Sequence, residues 1–504
     1  MPHLPSYPTL LSHLTLGTAR HPLAPAIIPW LDEREATDPT ADDAERLLAA
    51  VAFAERLHRL EPAVQPDMAP APAPEKGNAA APDEDRQPAS PRLTRALELI
   101  FGGTYPALLP EAVAALNEQY LLLPPRFLPE ALAEALRLLP ADPDLASQLL
   151  AAGGHRAPWL AARHPDWREL TPDFDLATAF RTDATPGRRG DLLRRWRRQD
   201  PAAAREALAA VWAEQSPKNQ EVLLEGMHPG LSAADIPWLR AQLAPKRRGV
   251  RRQLARLLLA AGDDTTRADF HQLLDAMLDE RGNFRHLLAG NEAQELLKQY
   301  GSLRKNESLT AFALRHLPPD ELLARTGKTP TELWAGLAQP ELTAAAEAIV
   351  FYGADELAAT FVRYALRNPS GKLPSAVVAE LVADLDQATF LTIYHELLDR
   401  EQNVLHHGSL ARVAALGRRE HWSERITKAF LLQLTATLRD VQRLGYQHQR
   451  AVSDQWRLAI PLLDPGVFGW ARTHLHSVAD RGDVFGKLAT ETLQTLAFRR
   501  VFWE

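Results

Sequence analysis

Nothing in the chain constrains its fold more than a repeated way of starting a helix. Asp142-Pro143, Asp200-Pro201, Ser216-Pro217, Thr329-Pro330 and Asp464-Pro465 each pair a side chain that can cap orphan amides with a proline. At the first helical position the missing N–H of that proline would have gone unpaired anyway. Two of these starts extend to Asp-Pro-x-x-Ala-x-x-x-Leu, in "DPDLASQLL" (Asp142, Pro143, Ala146, Leu150) and "DPAAAREAL" (Asp200, Pro201, Ala204, Leu208). Each follows a leucine-rich stretch. A small alanine near the turn and a leucine one turn later let two helices approach closely, as helical hairpin repeats require.

From residue 93 onward apolar residues recur at helical spacing and hardly ever alternate. Leu128, Leu132, Leu136 and Leu139 form one stripe; Val250, Leu254, Leu257 and Leu258 form another; Phe390, Ile393, Tyr394, Leu397 and Leu398 form a third. The expected fold is all-α, a HEAT-like α-solenoid of antiparallel helix pairs in degenerate repeats of ~40 residues. Residues 61–92 break the pattern with eight prolines and eight alanines, and read as a disordered linker that packs as neither helix nor strand. The resulting division is an N-terminal helical segment at 1–60, the linker at 61–92, a helical region at 93–185 and the repeat array at 186–504. The segment before the linker is a candidate cap for the first repeat.

The 504 residues include no cysteine, which excludes a disulfide framework, a thiolate zinc site and a cysteine nucleophile. Cytoplasm is the expected compartment, since no secretion signal and no apolar run of ~18 to 20 residues is present. The net charge of -7 is unevenly placed: residues 186–256 hold 15 Lys and Arg against 7 Asp and Glu, or +8, leaving -15 for the remainder. Such asymmetry points to a surface with a preferred partner. In "LLRRWRRQDPAAAREALAAVW" the residues Leu192, Leu193 and Trp196 share an inward face, matched by Ala204, Leu208, Val211 and Trp212 on the next helix. The arginines are expected outside. The candidate partner-binding stripe is Arg188, Arg189, Arg194, Arg195, Arg197 and Arg198, continued by Lys246, Arg247, Arg248, Arg251 and Arg252.

The stretches "RRWRRQDPAAAREALAAVWAEQ" and "GLSAADIPWLRAQLAPKRRGVRRQLARLLL", with "LTLGTARHP" and "APWLAARHPDWREL" upstream, resemble the bacterial domain-of-unknown-function family 5691. The likeness covers mainly residues 11 to 30 and 155 to 260. It implies an uncharacterised helical, HEAT-like protein of the kind encoded beside MoxR-type AAA ATPases, von Willebrand A-domain proteins and SWIM zinc-finger proteins. It supplies no catalytic residues.

Motifs that mimic chemistry fail on inspection. Gly327-Lys328-Thr329 ends like a phosphate-binding loop, but Leu322 stands where the first glycine belongs, and "TPTE" reads instead as a capping box of Thr329 and Glu332. "HELLD" puts His395 and Asp399 on one helix face without a second histidine, so a solvated surface is expected there. His406-His407 and the His474/His476 pair diverge on a helix and do not chelate alone. The leading expectation is a non-enzymatic protein-interaction scaffold without cofactor or metal, with a MoxR-type AAA ATPase or von Willebrand A-domain protein as partner and no membrane. The alternative is a HEAT-like nucleic-acid binder using the basic stripe of residues 188–252, down to a DNA-repair glycosylase.

Overall fold

A computed structural model describes residues 51, 81–183, 185–244, 247–285, 291–368, 373, 375–401, 403–439 and 445–503. The chain divides into two units, Met1–Ala81 and Pro82–Glu504. The N-terminal segment, most of the linker and Lys246 lie outside the described residues, so the architecture is that of the second unit.

This unit is built from helices around three apolar cores. The first core gathers α1 (Pro91–Phe101), α2 (Leu109–Glu118), α3 (Leu128–Leu138), α4 (Pro143–Ala152) and α5 (Arg156–Ala161) around Leu97, Val113, Leu116 and Leu132. The second takes α6 (Leu176–Thr182), α7 (Pro186–Gln199), α8 (Pro201–Trp212), α9 (Pro217–Glu225), α10 (Ile236–Gln242) and one face of α11 (Arg248–Ala260). The other face of α11 opens the third core. Its first part holds α12 (Asp264–Met277), α13 (Asn291–Tyr300), α14 (Leu309–His316), α15 (Pro319–Thr326), α16 (Pro330–Ala335) and α17 (Gln339–Tyr352). Its second part holds α18 (Asp355–Arg367), α19 (Ser375–Asp384), α20 (Gln387–Arg400), α21 (Leu410–Ala415), α22 (Glu424–Arg439), α23 (Tyr446–Ala459), α24 (Phe468–Ala479) and α25 (Val484–Arg499).

The helices begin where the sequence says they should. Asp142, Asp200, Ser216 and Thr329 accept hydrogen bonds from the backbone N–H of Leu145, Ala203, Asn219 and Glu332, and Thr329 with Glu332 closes a full capping box. Asp464 caps a short 3-10 turn, Pro465–Val467, that leads into α24. Loss of one such cap costs about 1 kcal/mol. Of the three apolar stripes, those on α11 and α20 are buried throughout, whereas Leu136 and Leu139 are half-buried.

Helices pack on sequence neighbours and also on helices two or three places further along. One run of contacts passes through α7, α9, α11, α14, α17, α19 and α21 in steps of two or three; a second passes through α16, α18, α20, α22 and α24, each on the next but one. The unit also joins its two extremities. Phe502 is buried in the first core, the Phe498 ring stacks on Tyr105 at 4.5 Å, and Gln119 Nε2 donates to the Phe502 carbonyl at 2.7 Å. Arg499, fully buried, donates from Nε to Glu111 at 2.5 Å and from Nη1 to the Leu463 carbonyl.

The expectation that nothing in 61–92 packs fails for its last residues. Gln87–Pro88 pairs in parallel with Leu121–Leu122, Glu84 accepts from the N–H of His155 and Arg156 at 2.8 and 2.9 Å, and Arg86 donates to Asn117 at 2.9 Å. The prolines do not prevent this because the carboxylate of Glu84 supplies the partner for the start of α5, while Pro91 stands at the beginning of α1 behind the cap Ser90.

Candidate functional site

The basic stripe is expected as an outward surface, and the structure takes much of it apart. Arg197 is the clearest correction. It is fully buried, with Nη1 and Nη2 each 2.9 Å from a carboxylate oxygen of Asp235, itself fully buried, and it donates further to the carbonyls of Pro229 and Pro201 at 2.9 and 3.0 Å. Its position explains this, because Arg197 follows Leu193 by one turn and so shares the inward face. Arg188 and Arg195 both bind the carboxylate of Glu169, which is buried at the close of the first core. Burial, with Arg188 and Arg198 close by, pulls the Arg195 guanidinium down to about 10. Arg194 pairs with Asp191 at 2.9 Å, Arg189 reaches the Arg181 carbonyl at 3.2 Å, and Arg251 binds the Lys298 carbonyl. Arg198, Arg247 and Arg248 remain exposed. The tryptophans turn inward as expected: Trp196 meets Phe180 edge-on at 6.1 Å and Trp212 meets Trp238 at 5.3 Å.

Arg252 leads elsewhere. On α11 the residues Arg252, Ala255, Arg256 and Leu259 share a face opposite the leucine stripe, and this face looks toward α14 and α17 across a cavity of about 470 Å³. Arg252, Arg256, Arg304 and Arg315 line it together with His228, His316, Gln253, Leu224, Leu257, Val350 and Phe351, and Glu225 stands exposed among them. Two carboxylates hold part of this charge. Glu307 takes Arg252 at 3.0 Å and also Arg315, and Glu347 takes Arg315 at 2.5 Å. Arg256 lies over the Phe351 ring at 3.8 Å from its centre and donates to the Glu347 backbone carbonyl at 2.5 Å, while its Nε is buried without a hydrogen bond. Neither Arg256 nor Arg304 is in an ion pair with a carboxylate among the described residues.

The electrostatics follow from that geometry. Burial, reinforced by Arg304 and Arg315, pulls Arg252 down to about 10, and burial does the same to Arg256. Both remain cations at neutral pH. His316 is fully buried, donates from Nδ1 to the Phe312 carbonyl at 2.7 Å, and is pushed down to about 3 by burial, so it is a neutral ring. Gly301 lies against Arg252. At φ 109° it occupies backbone space that favours glycine, and an added Cβ would meet the Arg248 carbonyl at 2.7 Å as well as the Arg252 side chain.

The remaining sequence candidates hold structure together. His395 Nε2 lies 2.9 Å from Ser423 Oγ and Asp399 binds Arg425 at 2.5 Å, so the "HELLD" face grips the start of α22 rather than facing only water. His407 meets Gln455 at 3.2 Å, His474 stacks on Trp470 at 3.8 Å, and His476 pairs with Asp480 at 3.5 Å. Glu84, Asp85 and His155 bring ligand atoms within 4.8 Å of one another. Their oxygens are already used: Glu84 caps α5 and Asp85 accepts from the Tyr120 hydroxyl at 2.7 Å. Among the described residues no helix is long and apolar enough to cross a membrane.

The sequence profile of DUF5691, a family of unknown function, matches residues 9–504. No curated protein and no solved structure matches the chain.

Proposed function

The chain belongs to DUF5691, a family of unknown function, and for it we propose a non-enzymatic interaction scaffold: a HEAT-like α-solenoid of antiparallel helix pairs that docks other proteins. The observation that carries this reading is the pair of helix runs in which each helix packs on another two or three places further along. Such packing stacks short helices into an extended surface, which is how repeat arrays engage partners. The polar groups support the same reading, because the buried arginines fasten helices to one another. Arg418, for example, donates to the carbonyls of Val382 and Ala383 at 3.1 and 3.3 Å and closes the end of α19.

The proposed partner is a MoxR-type AAA ATPase or a von Willebrand A-domain protein in the bacterial cytoplasm, as the family's gene neighbourhoods imply. The exposed Arg198, Arg247 and Arg248 are offered to its acidic face. The test is recovery of the tagged chain from its native cell with and without nuclease, followed by identification of the proteins bound to it. A nuclease-resistant ATPase or von Willebrand A-domain protein, lost on R247A/R248A, is expected. Partners that vanish with nuclease would instead favour the nucleic-acid alternative, for which most of the stripe is already engaged with carboxylates and carbonyls.

A further inference from the structure

The cavity behind α11 is more than the scaffold reading needs. A protein interior gathers guanidinium groups only at a cost, since each charge taken from water needs partners already in place. Here the charges do not balance. Arg252, Arg256, Arg304 and Arg315 face Glu307 and Glu347, and among the described residues neither Arg256 nor Arg304 is paired with a carboxylate. Glu225 and Arg304 are both exposed, where water screens them, so among the less exposed groups three arginines meet two carboxylates. His316 is neutral and does not add to the charge. A buried Nε on Arg256 has no acceptor among the described residues.

We propose that this cavity is a binding site for a small organic phosphate, whose phosphoryl dianion is held by Arg252, Arg256, Arg304 and Arg315. A phosphoryl group carries about two negative charges at neutral pH and three acceptor oxygens, enough to engage both guanidinium groups that lack a carboxylate partner, Arg256 and Arg304. Planar guanidinium forks are suited to such oxygens, in one- or two-point contacts. The space is larger than a bare phosphate requires: about 470 Å³ is the size of a pocket for a whole small molecule. Leu224, Leu257, Val350 and Phe351 supply apolar wall for its organic body. The site is also rigidly built. Arg256 is fixed over Phe351, Arg252 is backed by Gly301, and Arg315 is clamped between Glu307 and Glu347. Arg304 alone is exposed, and it closes on the ligand from the solvent side.

The experiment is calorimetric titration of the purified full-length chain at low salt, with inorganic phosphate, adenosine 5′-monophosphate, glucose 6-phosphate and citrate as separate probes. At least one of the two organic phosphates is expected to bind about tenfold tighter than inorganic phosphate, and citrate more weakly than either. R304A is the decisive variant, because the Arg304 side chain is exposed and makes no hydrogen bond or ion pair among the described residues. Loss of one charge-assisted contact predicts weakening of about tenfold to a hundredfold, with an unchanged melting temperature. R256K, which keeps the charge and loses the fork, is expected to weaken binding similarly, whereas R247A on the outer surface leaves it intact. No saturable binding of any phosphate, equal binding of citrate, or an R304A chain that binds as well as the unaltered one overturns the proposal. The measurement uses no protein partner, so its failure leaves partner docking standing, and failure of docking leaves this site standing.

Discussion

Replacing Arg197 by alanine tests the correction to the basic stripe most directly. The guanidinium is fully buried and makes two 2.9 Å bonds to Asp235 and two more to the carbonyls of Pro229 and Pro201. Its removal leaves the Asp235 carboxylate buried with Arg205 at 3.1 Å and the Ser232 N–H at 3.0 Å. Breaking a buried pair on one side costs ~3 to 5 kcal/mol, and the surviving Arg205 contact places R197A near the lower end, about 3 kcal/mol. That is a large share of a typical domain stability of ~5 to 15 kcal/mol. The assay is amide hydrogen exchange across residues 186–242, with urea unfolding as the global readout. Faster exchange in α7 and α10 together is expected, since the pair ties the helix carrying Arg197 to the turn that starts Ile236–Gln242. R197M/D235N, which removes both charges while keeping a cap at 235, is expected to fall short of the sum of the two single losses by about 1 to 2 kcal/mol. The pH dependence has a fixed sign. Burial alone would raise the Asp235 pKa, but the bonds from Arg197 and Ser232 outweigh it and the carboxyl is held below its ordinary value. Its contribution is therefore complete above about pH 4 and fades as the pH falls through the lowered value. A cost under about 1 kcal/mol for R197A, with exchange unchanged, refutes the argument that this arginine is a buried fastener.

Three further outcomes are expected. E111Q weakens the joint between the extremities of the unit, because it removes the charge facing Arg499; faster exchange of 91–118 and 484–503 together, with little change in 264–367, is the signature. R412M stabilises the protein, by about 1 to 4 kcal/mol if the gain resembles other replacements of buried charge by apolar side chains. Arg412 is fully buried over Phe430 at 4.7 Å, and none of its three nitrogens has a hydrogen-bond partner; a lowered melting temperature in R412M would sink the idea. His316, pushed down to about 3, must stay neutral in the fold while an unfolded histidine protonates near 6.5. Stability is therefore lost as the pH drops below about 6.5, by up to ~1.4 kcal/mol per unit from this group, and H316Q should flatten that slope in acid titrations monitored by unfolding.

The part of the fold legible in the sequence is local. A cap and a proline act within one turn, so Asp142, Asp200, Ser216 and Thr329 announce their helices, and the buried stripe of α20 announces its face. Arg197 escapes even though its spacing from Leu193 carries the signal, because an arginine on an inward face makes sense only with its carboxylate, and Asp235 lies 38 residues away. The cavity is half visible. Arg252 and Arg256 stand one turn apart beside Ala255 and Leu259, a second face on a helix whose leucines already claim the first. Arg304 and Arg315 join them only through tertiary packing, which no periodicity on α11 encodes. The tail of the proline-rich segment escapes for the same reason: composition describes what a stretch can do alone, and Glu84 finds its donors 71 and 72 residues away.

The joint between Glu111 and Arg499 has a consequence for how the protein comes into being. These residues are 388 positions apart, whereas most helices between them meet partners a few dozen residues distant. At translation rates of ~5 to 20 residues per second, roughly 20 to 80 seconds separate the emergence of the two. During that interval α1 and α2 have their own neighbours but not Phe498 or Phe502, and the apolar surface that later receives those rings is bare. The nascent chain thus carries an unfinished first core until Phe498 and Phe502 have been made. Chaperone engagement of the 91–118 region on ribosome-bound chains, released once residue 502 has cleared the exit tunnel, is the cellular trace this arrangement should leave.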